Sequence, residues 1–340
     1  FNFALAFLFF CLPTYLIRFH IGALPTTLLE TMIWIITIVW LITDHKLITD
    51  HGSQIIKQHK TLFCATALFL LAATISVFTS INTRAALGEW KAFYIEPVIL
   101  FVIIITTVRQ DNKTINRIIY ALVLSGLITS LLAIYQHFTG WLVPYDFWQN
   151  ENTFRVTAWY GFPNAVGLFL APIVPLTIFL IIQKLNELKN KRYEINEMGD
   201  KKSISYLLSL ISVISISIAG ILTSILSIIY AKSTGALVAL AAGLAFFLFF
   251  YNKKTRWLAI AVSIVGLVIL VGLSSTNPVK QELFFADRSG QLRVNMWAET
   301  TEFLKAHPIA GAGLASYSKL IYPYRIDKWI EVFHHPHNLF

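Results

Sequence analysis

Long apolar runs recur along this 340-residue chain and restrict its fold more than any other feature. A helix needs about 20 predominantly apolar residues to cross a bilayer. The runs are too long for buried strands, and they lack the period of two that barrel strands require. The sequence therefore predicts an all-α fold, a polytopic transmembrane helical bundle. The nine predicted spans are 1–17, 25–43, 61–80, 92–108, 118–138, 159–183, 205–230, 234–251 and 257–273.

The composition supports a membrane protein and excludes other classes. Hydrophobic residues make up 56% of the chain and charged residues only 13%, whereas soluble proteins have roughly 25% charged residues. This excludes a water-soluble enzyme, and an aromatic content of 14% excludes a disordered chain. Cys11 and Cys64 both lie in apolar runs, and two cysteines predict neither a disulfide framework nor a metal cluster.

The net charge of +9 is explained mainly by membrane topology. Fifteen of the 27 Lys and Arg residues lie in alternate loops between the spans, five lie in the other short loops, and no predicted span contains one. The positive-inside rule places the basic loops in the cytoplasm. The N-terminus is then cytoplasmic, residues 1–273 form the transmembrane region, and 274–340 form an extracytoplasmic loop. No nucleic-acid partner is expected. The basic loops are 44–60, 109–117, 184–204 and 252–256.

The extracytoplasmic loop contains a predicted amphipathic helix over 289–306, with Ser289 as its N-cap and Pro308 ending it after His307. Arg293 and Trp297 are four residues apart and share a face. The residues that form its apolar surface are Leu292, Met296 and Phe303, with Val294, Trp297 and Leu304 nearby.

Two glycines, Gly311 and Gly313, follow this helix and admit two interpretations. They make a tight turn, or they let the backbone approach a ligand or a helix closely.

Three arginines on the outward side suit an anionic ligand, because arginine binds phosphate in a bidentate manner and keeps its charge. Arg288 and Arg293 flank the start of the amphipathic helix, whose free N–H groups also attract anions. Arg155 lies in the loop before the sixth span. Together they are predicted to clamp a phosphate or pyrophosphate near the membrane surface; isolated, solvated arginines are the alternative.

A histidine cluster, His334-His335-Pro336-His337-Asn338, lies near the end of the sequence. Histidine is the commonest metal ligand, but Pro336 interrupts a helical spacing and no acidic residue or cysteine follows. No metal site is therefore predicted. A surface cluster without chemistry and a catalytic histidine both stay open.

From about residue 150 onward, the order of these motifs resembles the O-antigen ligase and polysaccharide polymerase superfamily, whose members are GT-C glycosyltransferases. Three places carry the resemblance. They are RVTAWYGFPN from Arg155 to Asn164, the series Arg293-x-x-x-Trp297, Pro308 and Gly311-x-Gly313, and the His-Asn motif at His337 and Asn338.

Two features depart from the family pattern. Many relatives have Ser-Arg-Gly at the start of the eighth span, where this chain has Ser233, Thr234 and Gly235. Lys232 is a candidate to replace the missing charge. The family also continues through further helices after the His-Asn motif, and this chain begins with Phe1, so a fragment of a longer protein is expected.

The resemblance implies transfer of a glycan from an undecaprenyl-pyrophosphate donor to a hydroxyl of a sugar, lipid A core or protein. The reaction takes place at the outer face of the bacterial cytoplasmic membrane, without metal or cofactor. Arg155, Arg288 and Arg293 would stabilise the pyrophosphate. His337 would activate the acceptor with help from Asn338, and His335 is a second candidate.

A flippase or transporter of lipid-linked oligosaccharides is the alternative function. It predicts ionisable residues at mid-membrane and internal repeats, and the sequence shows no evident repeat. The acidic residues Glu30 and Glu96 lie near span ends, where an interfacial position is expected.

Overall fold

A computed structural model describes residues 1–326 apart from residues 23, 44–56, 58–59, 112, 152 and 199–200. The described chain is overwhelmingly helical, which confirms the predicted all-α polytopic bundle. Its described strands, β1 (Arg18–Ile21) and β2 (Leu24–Thr27), form a short antiparallel hairpin in which Arg18 is opposite Thr27.

Fourteen α-helices are described, together with 3₁₀ turns at Leu12–Leu16 and Tyr322–Tyr324 and a π-helical turn at Lys91–Ile95. The helices are α1 Asn2–Phe10, α2 Leu28–Thr43, α3 Lys60–Phe78, α4 Thr83–Trp90, α5 Glu96–Gln110, α6 Lys113–Thr139, α7 Asp146–Gln149, α8 Pro163–Met198, α9 Lys201–Tyr230, α10 Thr234–Tyr251, α11 Lys253–Gly272, α12 Pro278–Leu283, α13 Arg288–Ala306 and α14 Tyr317–Leu320.

Seven described helices are long and apolar enough to cross a membrane, and they correspond to the third to ninth predicted spans. They are α3, the continuous stretch Thr83–Val108 formed by α4, the π-helical turn and α5, then α6, α8, α9, α10 and α11.

The first two predicted spans form shorter helices. The run 1–17 does not form one helix, because α1 ends at Phe10 and the chain enters a 3₁₀ turn that contains Pro13, which cannot continue an α-helical ladder. Helix α2 has 16 residues, or about 24 Å at 1.5 Å per residue. The fourth span begins earlier than predicted, so Lys91 lies within a helical span and not in a loop.

The chain divides into two compact units. Unit 1 consists of Phe1–Leu29 and Asp111–Leu273. Its core lies where α6, α8 and α9 pack together, with α10 against α8. Gly167 permits the close approach of α8 and α10, because a Cβ there would lie 2.4 Å from the Cβ of Ala236. Small residues at helix contacts are typical of membrane bundles.

Unit 2 consists of Glu30–Gln110 and the chain from Ser274 onward. An ion pair joins α2 to the π-helical turn, with Lys91 Nζ 2.9 Å from Glu30 Oε2. One helical turn further along α2, Trp34 Nε1 donates to Glu96 Oε1 at 3.0 Å, and Glu96 is 2% exposed. Glu96 is therefore buried in protein, and both acidic residues that the sequence placed near span ends have specific partners.

The Glu30–Lys91 pair should contribute to stability in a characteristic way. We expect Lys91→Met to lower the melting temperature in detergent, because it leaves the Glu30 carboxylate, whose side chain is only 13% exposed, without its ammonium partner. The loss should be smaller than the roughly 3–5 kcal/mol of a fully buried pair, since about a third of Lys91 is exposed. The double variant Glu30→Gln with Lys91→Met should recover most of it.

The matched control is Lys305→Met, which breaks the Lys305–Glu302 pair on α13, where both side chains are more than 60% exposed. No shift is expected there, since exposed pairs contribute little. A double variant as unstable as Lys91→Met would contradict the pairing argument.

Candidate functional site

Helix α13 carries two of the predicted anion-binding arginines and begins one residue before its predicted start. Its N-cap is Asp287 and not Ser289: the Asp287 carboxylate accepts hydrogen bonds from the N–H groups of Ser289 (3.2 Å) and Gly290 (3.0 Å). The expectation that this helix start offers free N–H groups to an anion is therefore wrong for these two donors. A carboxylate that belongs to the protein already occupies that position.

The buried face of α13 is close to the predicted one. Met296 and Phe303 are buried, whereas Val294 and Leu304 are exposed. Trp297 packs edge-on against Phe285 with ring centroids 5.3 Å apart. The helix ends at Ala306, with His307 as C-cap directly before Pro308, as predicted.

Arg288 is exposed and Arg293 is half-buried. They are five positions apart in sequence, so they leave α13 about 140° apart around its axis. Neither arginine forms an ion pair with another residue in the described parts of the chain. Both guanidinium groups can therefore interact with an anion at the first two turns of α13, although from different faces.

The glycine pair after α13 approaches a helix corner closely. Gly313 has φ +68°, and a Cβ there would lie 2.8 Å from the backbone nitrogen of Ser80. The N–H of Leu314 donates to the carbonyl of Ser76 at 3.0 Å. Of the two interpretations left open by the sequence, the described contacts of Gly313 support approach to a helix.

The last described residues are tied back to α13 by a buried ion pair. Arg325 Nε lies 3.5 Å from Glu299 Oε2, and the side chains are 6% and 3% exposed. The N–H of Ile326 donates to the other Glu299 oxygen at 2.8 Å. This pair therefore fixes Arg325 against the middle of α13, shortly before the part of the sequence that contains the His-Asn motif. His335, His337 and Asn338 themselves lie outside the described residues.

Arg155 lies in unit 1, where it makes extensive contacts within the protein. Its Nε donates to the carbonyl of Ala231 at 2.7 Å, and its Nη2 donates to Lys232 O at 3.0 Å and Asn164 Oδ1 at 2.8 Å. The guanidinium also lies 5.2 Å from the ring centroid of Trp148. Arg155 thus ties the turn between α9 and α10 to the start of α8.

The same turn determines the conformation of Lys232, the candidate replacement for the missing family arginine. Lys232 has φ +47°, in the left-handed region, and its side chain is exposed. Two of its neighbours, Ala231 and Ser233, are buried. The turn therefore leaves the Lys232 side chain exposed, while the Lys232 carbonyl accepts a hydrogen bond from Arg155.

One buried side chain, Gln136 of α6, forms hydrogen bonds with the backbone of the loop before α8. Gln136 Oε1 accepts from the N–H groups of Thr157 (3.0 Å) and Ala158 (2.7 Å), and Gln136 Nε2 donates to the carbonyl of Ala158. Burial raises the pKa of the nearby Tyr160 phenol above its ordinary value. The motif RVTAWYGFPN thus forms a braced loop that positions Arg155.

His137 makes a tertiary contact that the sequence did not indicate. It lies in the last turn of α6, and its ring stacks on Tyr230 of α9 with centroids 3.6 Å apart and planes at 3°. Its Nδ1 is buried and has no hydrogen-bond partner among the described residues. The stack depends on contact between residues far apart in sequence, and no local pattern signals it.

The predicted site residues thus fall into separate parts of the structure. Arg288 and Arg293 share α13 in unit 2, whereas Arg155 lies in unit 1. Convergence of the three arginines on one anion stays a prediction.

The fold and these features define a polytopic membrane protein with a cation-bearing helical segment after its last described span. Residues 219–340 match the family model described as O-antigen ligase. This match supports the O-antigen ligase resemblance over the part of the chain that carries Arg288, Arg293 and the His-Asn motif, whereas the RVTAWYGFPN motif at Arg155 to Asn164 lies outside it. Neither a search of curated proteins nor a search of solved structures found a match.

The match to the O-antigen ligase model supports a membrane glycosyltransferase-like role in surface polysaccharide biosynthesis. It implies an enzyme of the O-antigen ligase or polymerase type, a lipid-linked glycan and an acceptor as substrates, and a bacterial membrane as the location.

The contacts of Arg155 and Arg293 predict different effects on stability. Arg155→Ala should lower the melting temperature in detergent, because the partly buried carbonyl of Ala231 loses its donor, at a cost of about 1 kcal/mol. Arg293→Ala removes no ion pair with a described residue and should leave the melting temperature within about 1 °C. Equal melting temperatures for Arg155→Ala and wild type would refute the bracing role.

Proposed function

We propose that the protein transfers a glycan from an undecaprenyl-pyrophosphate donor to a hydroxyl of a sugar, lipid A core or protein. The reaction takes place at the outer face of the bacterial cytoplasmic membrane. Residues 1–273 form the transmembrane region, the N-terminus is cytoplasmic, and 274–340 are extracytoplasmic. The assignment of residues 219–340 to the O-antigen ligase family is the observation that carries the proposal.

Arg288 and Arg293 are the proposed pyrophosphate ligands on α13. Their support is chemical: both are arginines without an ion-pair partner among described residues, on a helix that the family match includes. Two guanidinium groups neutralise the charge that develops on a departing pyrophosphate, which is the main electrostatic demand of this reaction.

Arg155 has two proposed roles. It binds pyrophosphate, as the motif order implies, and it braces the turn that presents Lys232. Lys232 supplies the positive charge that relatives obtain from the arginine of Ser-Arg-Gly.

In the proposed reaction, the acceptor hydroxyl oxygen forms a bond to the anomeric carbon of the donor sugar. The bond from this carbon to the pyrophosphate oxygen breaks, and its electron pair leaves with the pyrophosphate. His337 takes the hydroxyl proton, since an imidazole with an ordinary pKa near 6.5 is partly unprotonated at neutral pH. Asn338 orients His337 or the acceptor, and His335 is the second candidate base.

The decisive experiment supplies purified protein with a glycan on undecaprenyl pyrophosphate and a set of acceptors. A new glycosidic bond with release of undecaprenyl pyrophosphate is the expected result, and the acceptor consumed identifies ligase, polymerase or protein glycosylation. Movement of the intact donor across vesicles without bond formation would replace this function by the transporter alternative.

Arg293→Lys tests bidentate binding of the pyrophosphate. Lysine keeps the charge but loses the planar pair of donors, so transfer should fall by roughly tenfold to a hundredfold. The matched control is Lys305→Arg, a charge-preserving change on the exposed end of the same helix, which should leave the rate unchanged. Unchanged transfer in Arg293→Lys would argue against the clamp.

His337→Ala should abolish transfer while expression and membrane insertion persist, because the variant removes the proposed base. Product formation from the lipid-linked donor is the measurement. The neighbouring variant His334→Ala, at a position without an assigned role, should retain transfer. Wild-type activity in His337→Ala would remove this residue from the mechanism.

A further inference from the structure

The segment from Gly313 to Ser316 is seated on the corner formed by the end of α3 and the start of α4. The hydroxyls of Ser80 and Ser316 lie 2.8 Å apart, and the N–H of Ile81 donates to Ser316 Oγ at 3.0 Å. Ser316 is fully buried, and no side chain fits at Gly313 without displacing the backbone of Ser80. These contacts at both ends of the segment fix its position and orientation on the corner.

Glu89 completes this contact from the far end of α4. Its Oε2 accepts a hydrogen bond from the N–H of Ala315 at 3.0 Å. Among the described residues, Glu89 has no ion-pair partner. The carboxylate is therefore directed at a backbone amide, in a segment where Ala315 itself adopts φ +54°. A charge-assisted hydrogen bond of this kind holds an otherwise unfavourable backbone conformation.

The contact of residues 313–316 with the α3–α4 corner, called the seat below, restrains α13 because the two are joined by a short stretch of chain. The loop begins directly after α13, and beyond it the buried Glu299–Arg325 pair returns the chain to the middle of the same helix. A segment anchored on both sides leaves α13 little freedom to shift. The position of Arg288 and Arg293 therefore depends on the contact at Ala315.

We infer that Glu89 is a positioning residue for donor binding: by fixing residues 313–316 on the α3–α4 corner, it holds α13 and its arginines in place. The inference rests on the proposed glycosyl transfer. Glu89 touches no substrate in this scheme and acts through α13.

The test separates positioning from folding by a split between KM and kcat. Glu89→Ala should raise the KM for the undecaprenyl-pyrophosphate donor roughly tenfold, about the effect of losing one charge-assisted hydrogen bond, with the acceptor KM unchanged. A folding defect alone would lower apparent kcat and leave the donor KM unaltered, which would overturn the inference.

Conservative replacement provides a second readout. Glu89→Gln keeps a side-chain oxygen that accepts from Ala315 and should restore the donor KM to within about twofold of wild type. The matched control is Glu302→Ala, an exposed residue paired only with Lys305 among described contacts, which should not change KM. A Glu89→Gln variant as impaired as Glu89→Ala would overturn the hydrogen-bond role.

The seat itself is tested without activity. In a Cys11→Ser, Cys64→Ser background, the pair Ser80→Cys and Ser316→Cys should form a disulfide, because the two hydroxyls lie 2.8 Å apart, and should form it more slowly when Glu89→Ala is added. Failure to form it would overturn the seat. If the cysteine variant forms the disulfide but the wild-type protein shows no transfer at all, the proposed function is overturned and the seat is not.

Discussion

The hydrocarbon interior of the bilayer offers no hydrogen bonds, and the described structure follows from that constraint. Backbone groups must pair within their own helix, so long helices are the response of a chain whose apolar runs approach 20 residues. Without a strong hydrophobic drive between helices, association depends on close packing and polar contacts. Gly167 against Ala236, and the hydrogen bond from Ser227 Oγ to the carbonyl of Ser130 at 3.0 Å, are such contacts in unit 1.

Where helices end, side chains take over the pairing of backbone groups. Gln136 holds both N–H and C=O groups of the loop before α8, and Arg155 holds two carbonyls of the turn after α9. In unit 2, Asp287 and Glu89 perform the same task with carboxylates. The three arginines of the candidate site differ in their contacts. Arg155 is bound into the scaffold, whereas Arg288 and Arg293 form no ion pair with a described residue.

Long apolar periods made much of this fold predictable. Helix α10 has the predicted bounds, and α13 differs by one residue at its start, because each is bounded by a local signal: a tight turn at 231–233 precedes α10 and Pro308 follows α13. The sequence does not predict the start at Thr83, because Arg84 lowers the hydropathy of α4 and Lys91 that of the π-helical turn. The ion pair of Lys91 with Glu30 compensates for part of that polarity. Local pattern also misled at Ser289, since Asp287 two residues earlier caps the helix more strongly.

Site residues divide in the same way. The sequence predicts Arg288 and Arg293 from their charge beside a helix start. The contacts of Glu89 and His137 join residues far apart in sequence, so no local pattern indicates them. Glu89 meets Ala315 across 226 positions, and His137 stacks on Tyr230 of another helix. Such contacts depend on tertiary packing and are identified only from the folded structure.

The π-helical turn at Lys91–Ile95 controls the rotational phase between α4 and α5. It accommodates one residue more than an α-helix would over the same length, and one residue corresponds to about 100° of rotation. With α5 held through Glu96 and Trp34, deleting a single residue in this turn would rotate Glu89 away from Ala315 while preserving every side chain in the seat. The spacing between two polar contacts, rather than any single residue, thus encodes which way α4 faces.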